Sequence, residues 1–270
     1  MSKKASNSFP DYNNPPVNEV VCGLSFAKIE KFGSHHIGLF WQKIKDEFPL
    51  VEHAQRLEHA LRLEHKPPLL DLKNYLPRVW FVRNEQNRLI QLQDDMFYFN
   101  WRRMQEDEAY PRYETIIEDF KKTLSVFEKF LEEEGLGSVN PERCELTYIN
   151  HISKGEGWET VSDVLNIFRD LCWNTEDRFL PPPVAVGGQA VFELPDKIGR
   201  LELSLQQAIR KSDKRPMFVL QNKATGLGED KNMTAVWEWF EVAHEWIVFG
   251  FTDLTKEGIQ KDVWQRTDIN

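Results

Sequence analysis

The order of elements written into this chain occurs twice, and that repetition limits the available folds more than any other feature. "NEVVCGLSF" (18–26) alternates, placing Val20, Cys22, Leu24 and Phe26 on one side, the period of a strand. "HIGLFWQKIKDEF" (36–48) then brings Ile37, Phe40, Trp41, Ile44 and Phe48 round at helical spacing. Three β-like runs follow: "RVWFVR" (78–83), "RLIQLQ" (88–93) and "MFYFNWR" (96–102). Turn-forming residues at 84–87 and at Asp94-Asp95 separate them. A long helix begins near Pro111, a favoured first-turn residue. Its stripe is Tyr113, Ile116, Ile117, Phe120, Leu124, Phe127 and Leu131, and Gly135 and Gly137 mark its end.

The second pass has the same plan. "CELTYINHI" (144–152) reads as a strand, "TVSDVLNIFRDL" (160–171) as a helix and "DRFLPPPVAVGG" (177–188) as a loop. "QAVFEL" (189–194), "RLELSLQQAI" (200–209) and "PMFVLQNK" (216–223) are three more β-like runs. A last helix carries Trp237, Phe240, His244, Ile247, Val248 and Phe251. "RLIQLQ" answers "RLELSLQ", and "MFYFNWR" answers "MFVLQNK". Tyr113, Ile116, Phe120, Leu124 and Phe127 answer Trp237, Phe240, His244, Val248 and Phe251, position for position. The expectation is an α+β protein, a pseudo-two-fold duplication of a β-α-β-β-β-α unit with mostly antiparallel pairing. Its halves are 17–140 and 141–270, sharing one core because each alone leaves a helical face bare, after a polar, disordered lead-in over 1–16. This order is similar to that of TATA-box-binding-protein-like folds, in which a curved sheet carries helices on one face. The analogy concerns fold and brings no function with it.

Composition narrows the function classes. A net charge of −9, with basic and acidic residues interleaved, disfavours a phosphate backbone as partner. The three cysteines, Cys22, Cys144 and Cys172, have no CxxC spacing and read as reduced thiols of a cytoplasmic protein. The N-terminal residues lack the apolar run of a signal peptide, and no stretch approaches the ~20 apolar residues of a membrane span.

"VEHAQRLEHALRLEHK" (51–66) places His53, His59 and His65 after glutamates at an even spacing of six. On a helix a step of six turns ~600°, equivalent to ~240°, so the rings point in three directions. On a strand each step advances ~20 Å, far beyond a Zn–N bond of ~2 Å. Neither geometry gathers a metal site. The stretch reads as a connector before Pro67-Pro68, with Leu57, Leu61 and Leu63 packed down. No metal or other cofactor is expected.

Two histidines are candidate catalytic groups. His244 lies on the apolar stripe of the last helix, where a hydrogen-bonded core histidine and a general base or pH switch are the two readings. His151 shares a strand face with Thr147 and Ile149. If Leu146, Tyr148, Asn150 and Ile152 face the helices, His151 lies on the open face, as a binding-site or a plain surface histidine. Glu145 or Glu241 could serve as the carboxylate partner. Gln91, Gln93, Tyr98 and Asn100 in one half, and Glu202, Ser204 and Gln206 in the other, suggest a face of hydrogen-bonding side chains. Such a face suits a peptide or protein, or is simply solvated. "FYFNWRR" mixes aromatics with Arg102 and Arg103, as base-stacking surfaces do, but Glu106, Asp107 and Glu108 follow at once. Phe97, Phe99 and Trp101 read more simply as a core-facing strand. No Walker loop, GxGxxG turn or GxSxG elbow occurs.

"NNPPVNEVVCGLSF", "LIQLQDDMFYFNWRRM" with "YPRYE", "CELTYINHI" and "FEVAHEWIVFGFTDLT" resemble blocks of a sporadically distributed family of uncharacterised prokaryotic proteins. The resemblance runs from Pro15 to Trp264. It implies an accessory-genome role of defence, toxin–antitoxin or mobile-element type, and it transfers no catalytic residue. The expected function is a cytoplasmic protein that binds a protein or peptide partner, such as a neighbouring gene product, through the open sheet face or the cleft between halves. A hydrolase or nucleotide-processing enzyme using His151 or His244, and a nucleic-acid-binding sheet, are the alternatives.

Overall fold

The computed structural model of the chain describes residues 9–57, 76–171, 177 and 179–268. The fold is α+β. Nine strands, β1 (Val17–Phe26), β2 (Leu50–Ala54), β3 (Arg78–Val82), β4 (Arg88–Leu92), β5 (Met96–Arg102), β6 (Pro141–Ser153), β7 (Gly188–Glu193), β8 (Gly199–Ile209) and β9 (Pro216–Gly226), form one large antiparallel sheet. Its order is β2-β3-β4-β5-β1-β6-β9-β8-β7. The helices among the described residues are α1 (Ser34–Ile44), α2 (Tyr113–Glu133), α3 (Val164–Ile167), α4 (Met233–Leu254) and α5 (Glu257–Asp262). None is long and apolar enough to cross a membrane.

The chain divides into two compact units, each assembled from more than one segment. The N-terminal unit comprises Val21–Glu106 and Pro111–Cys144; the C-terminal unit comprises Met1–Val20, Asp107–Tyr110 and Glu145–Asn270.

In the N-terminal unit, the period-two pattern decides which side chains meet the helices. Phe81 of β3 lies opposite Ile90 of β4, which lies opposite Phe99 of β5. Phe97 stacks on Phe127 of α2 at 5.3 Å, and Phe40 of α1 meets Phe81 edge-on at 5.7 Å. Leu24, Phe26, Ile90, Leu92, Phe97, Phe99 and Trp101 are accordingly buried. The stripe read along α2 is buried, together with Thr123 and Phe130. Ile90 and Leu92, which alternate with Gln91 and Gln93 in "RLIQLQ", are the helix-facing set. Arg88 shares their parity and is buried with its Nε donating to Asp119 Oδ2 of α2 at 2.8 Å.

The C-terminal unit has its own core of Tyr12, Ile152, Phe218, Leu220, Phe251 and Trp264, among others. Leu201 of β8 lies beneath Gly250 of α4, where an added Cβ would stand 3.2 Å from Leu201 Cδ2. Such a close helix–strand approach explains glycine within a helix despite its cost there.

Three expectations need correction. The helix expected over 160–171 shrinks to a 3₁₀ turn (Val161–Asp163) and the single turn of α3. Phe168 then turns extended and forms an antiparallel bridge with Thr255. The end of α4 captures this backbone: Arg169 N–H donates to Leu254 O, and Lys256 N–H to Ile167 O. Residues 11–14 are no loose lead-in. Tyr12 is buried and bridges to Arg266, while Asn13 and Asn14 donate to the carbonyls of Gln265 and Trp264. Residues 51–54 of the Glu-His stretch form β2, with exposed His53 opposite Val79. His59, His65, Leu61 and Leu63 lie outside the described residues.

Candidate functional site: two sheet faces

The faces turned away from the helices differ between the units. In the N-terminal unit this face carries Gln91, Gln93, Tyr98 and Asn100, and all four are buried, so it is not the open surface their alternation suggested. Asn100 Oδ1 accepts from Gln91 Nε2 at 2.7 Å, and Gln91 Oε1 accepts from Arg78 Nη1 at 2.9 Å. Gln93 reads backbone: its Oε1 accepts from Leu57 N–H at 2.7 Å, and its Nε2 donates to Leu57 O at 3.3 Å. Arg56 pairs with both Asp94 and Asp95. Leu57 packs beside Val21, Met96 and Tyr98. The Tyr98 ring lies over Gly23, where a Cβ would come within 2.7 Å of it, so only glycine fits. The chain at 56–57 therefore crosses this face and uses its hydrogen-bonding groups. Arg56 and Arg78 escaped the sequence reading because neither stands in an alternating polar run.

In the C-terminal unit the orientation follows from Tyr148, whose ring stacks on His244 of α4 at 6.1 Å and 24°. Leu146, Asn150 and Ile152 share that side. Glu145, Thr147, Ile149 and His151 point the other way, as the alternation anticipated. Register extends this second face across the neighbouring strands. Glu202 of β8 lies between Val191 of β7 and Lys223 of β9, and Lys223 Nζ reaches Glu145 at 2.9 Å. The next row is Gln189, Ser204 and Gln221, followed by Gln206 opposite Val219. Glu202, Ser204, Gln221 and His151 are half-buried; Gln189 and Gln206 are exposed. The cations are matched locally, Arg200 to Glu202 at 2.6 Å and Lys223 to Glu145. Gln221 and Lys223 belong to the face and were missed, although the alternation of "PMFVLQNK" holds the signal.

The two candidate histidines lie on opposite sides of the sheet. His151, late in β6, is half-buried on the face turned away from the helices, its backbone N–H donating to Pro16 O at 2.8 Å. His244 projects from α4 between the rings of Tyr148 and Phe9, the latter at 5.1 Å. Burial lowers its pKa to about 4. Tyr148 Oη in turn bonds Tyr110 Oη at 3.0 Å. Among the described residues, no group of three or more His, Cys, Asp or Glu could hold a metal ion. Cys22 and Cys144 are buried free thiols, and burial pushes that of Cys22 upward.

No family model matches the chain, and the comparisons with curated proteins and with solved structures return no match.

Proposed function

We propose that the protein is a binding protein that takes an uncharged, hydrogen-bonding segment of a protein partner on the sheet face of its C-terminal unit turned away from the helices. The observation that carries this reading is the neutral row Gln189, Ser204 and Gln221, which lies beside a row whose charges are already paired. Amide and hydroxyl groups on a pleated surface match a peptide's donors and acceptors, as Gln93 does for the backbone of Leu57 in the other unit. With Arg200 and Lys223 held by carboxylates, the face offers little to a phosphate chain, which needs uncompensated cations. An enzymatic reading through His244 gains no support from a ring whose burial keeps it neutral and weakly basic near pH 7.

The internal duplication belongs to the same proposal. Apart from the additional strand β2 beside β3, the strand order in each half runs from the first strand to the last and then backward, β1-β5-β4-β3 and β6-β9-β8-β7, which supports a repeated unit. On this reading the chain at 56–57 covers one face of the repeat and a partner covers the other. The family resemblance points to a cytoplasmic partner encoded beside the protein in a prokaryotic accessory locus.

The test is affinity capture from the native host with wild-type protein and with Ser204→Arg and Gln221→Glu variants, checked for unchanged thermal unfolding. A stoichiometric protein retained by the wild type and lost from both variants is expected. A partner retained equally by all three would move the binding site elsewhere.

A further inference from the structure

One of the two end strands of the sheet, β7, carries a second and independent signal. All six of its residues are exposed, including Val191 at 62% and Phe192 at 46%. Among the described residues no strand pairs with its outer edge. Exposed edges are ordinarily guarded by lysine, proline, a bulge or inward-pointing charge. Here "GQAVFE" has no proline and no lysine, and it pairs with β8 without interruption from Gly188↔Leu205 to Glu193↔Arg200. Its only charge, Glu193, stands at the very end.

Consider β7 opposite its own copy in an antiparallel pair. A two-fold axis perpendicular to the sheet keeps each face on its own side. Directly opposed residues must therefore have the same parity. Centring the pair on Val191 sets Val191 against Val191, Ala190 against Phe192 and Gln189 against Glu193. A small side chain meets a large one, an amide meets a carboxylate, and no like charges are opposed. Shifting the centre to Ala190 places Gln189 against Val191 and leaves Glu193 beyond the strand. Shifting it to Phe192 opposes Val191 with Glu193. One register is complementary at every position from 189 to 193.

We infer that two copies of this chain associate through β7, pairing antiparallel about Val191 so that the sheet continues from one copy into the next. The occupant of the edge is a second copy because the strand is complementary to itself. This inference goes beyond the proposed partner face. It would survive if the partner face failed, since the edge backbone and not the row at Ser204 makes the contact.

The experiment is sedimentation equilibrium of the full chain over a range of concentrations, with Val191→Lys and Val191→Glu variants. Val191 is exposed, so neither change empties a core, and circular dichroism confirms the fold of each. The wild type is expected to dimerise. Each variant alone places like charges against each other at the axis and should raise the dissociation constant by about tenfold or more. An equimolar mixture of the two variants opposes lysine with glutamate and should restore the dimer. A wild-type chain that stays monomeric at its solubility limit would overturn the inference. So would variants that dimerise as the wild type does, or a mixture that fails to recover.

Discussion

Packed between the rings of Tyr148 and Phe9, His244 stays neutral at physiological pH, with a pKa near 4 in place of 6.5. The unfolded chain protonates this ring as pH falls through 6.5, while the folded chain resists protonation until about 4. The folded pKa is depressed, so the contribution is complete above pH 6.5 and drains away as pH falls through that window. Its size is about 1–3 kcal/mol, on the scale of a pKa unit being worth about 1.4 kcal/mol. His244→Phe should keep the aromatic packing and flatten this part of the profile, as read by urea unfolding between pH 7 and pH 4. Identical slopes for the variant and the wild type would mean that another group carries the dependence. The helical stripe of "FEVAHEWIVFGF" placed His244 among apolar residues, and that part was legible. The stack on Tyr148 was not, because the two residues are far apart in sequence and meet only when β6 lies beneath α4.

Period predicts an element well where its own residues supply the stabilisation. The stripe of α2 and the alternation of β8 over 201–205 correspond to the buried sets observed, whereas β1 and β5 are buried on both sides. The same logic failed over 160–171, where a plausible helical stripe lost to the backbone bonds offered by the end of α4. Leu57 illustrates the converse case, in which a residue outside any periodic run meets a face through its backbone. The Gln93 amide satisfies both backbone groups of Leu57, and replacing it leaves those groups unpaired and half-buried. Gln93→Leu should therefore cost about 1–3 kcal/mol, the usual penalty for orphaned polar groups. Hydrogen exchange at the Leu57 amide provides the local readout. Unchanged protection there would show that the clamp does not hold the segment.

At the scale of the whole molecule, the two ends of the described chain fasten each other. Tyr12 Oη bonds Thr252 Oγ1 at 2.8 Å, its ring meets Phe251 edge-on at 5.7 Å, and the backbone at 13–14 pairs with 264–265. Removing residues 1–14 should lower the stability of the C-terminal unit by about 3 kcal/mol or more, the scale of deleting a large buried aromatic side chain. Thermal unfolding of the shortened chain checks this, and an unchanged midpoint would contradict it. The residues themselves determined an α+β protein, the faces of most strands and helices, and the hydrogen-bonding character of the faces turned away from the helices. These properties depend on periodicity, which each segment carries within itself. Only the tertiary structure decided which of those faces is covered. It clamped Leu57 to Gln93, left Ser204 and Gln221 half-buried among the described residues, and tied residues 12–14 to residues 264–266. Coverage depends on contacts between residues distant in sequence, and such contacts exist only once the chain has closed its loops.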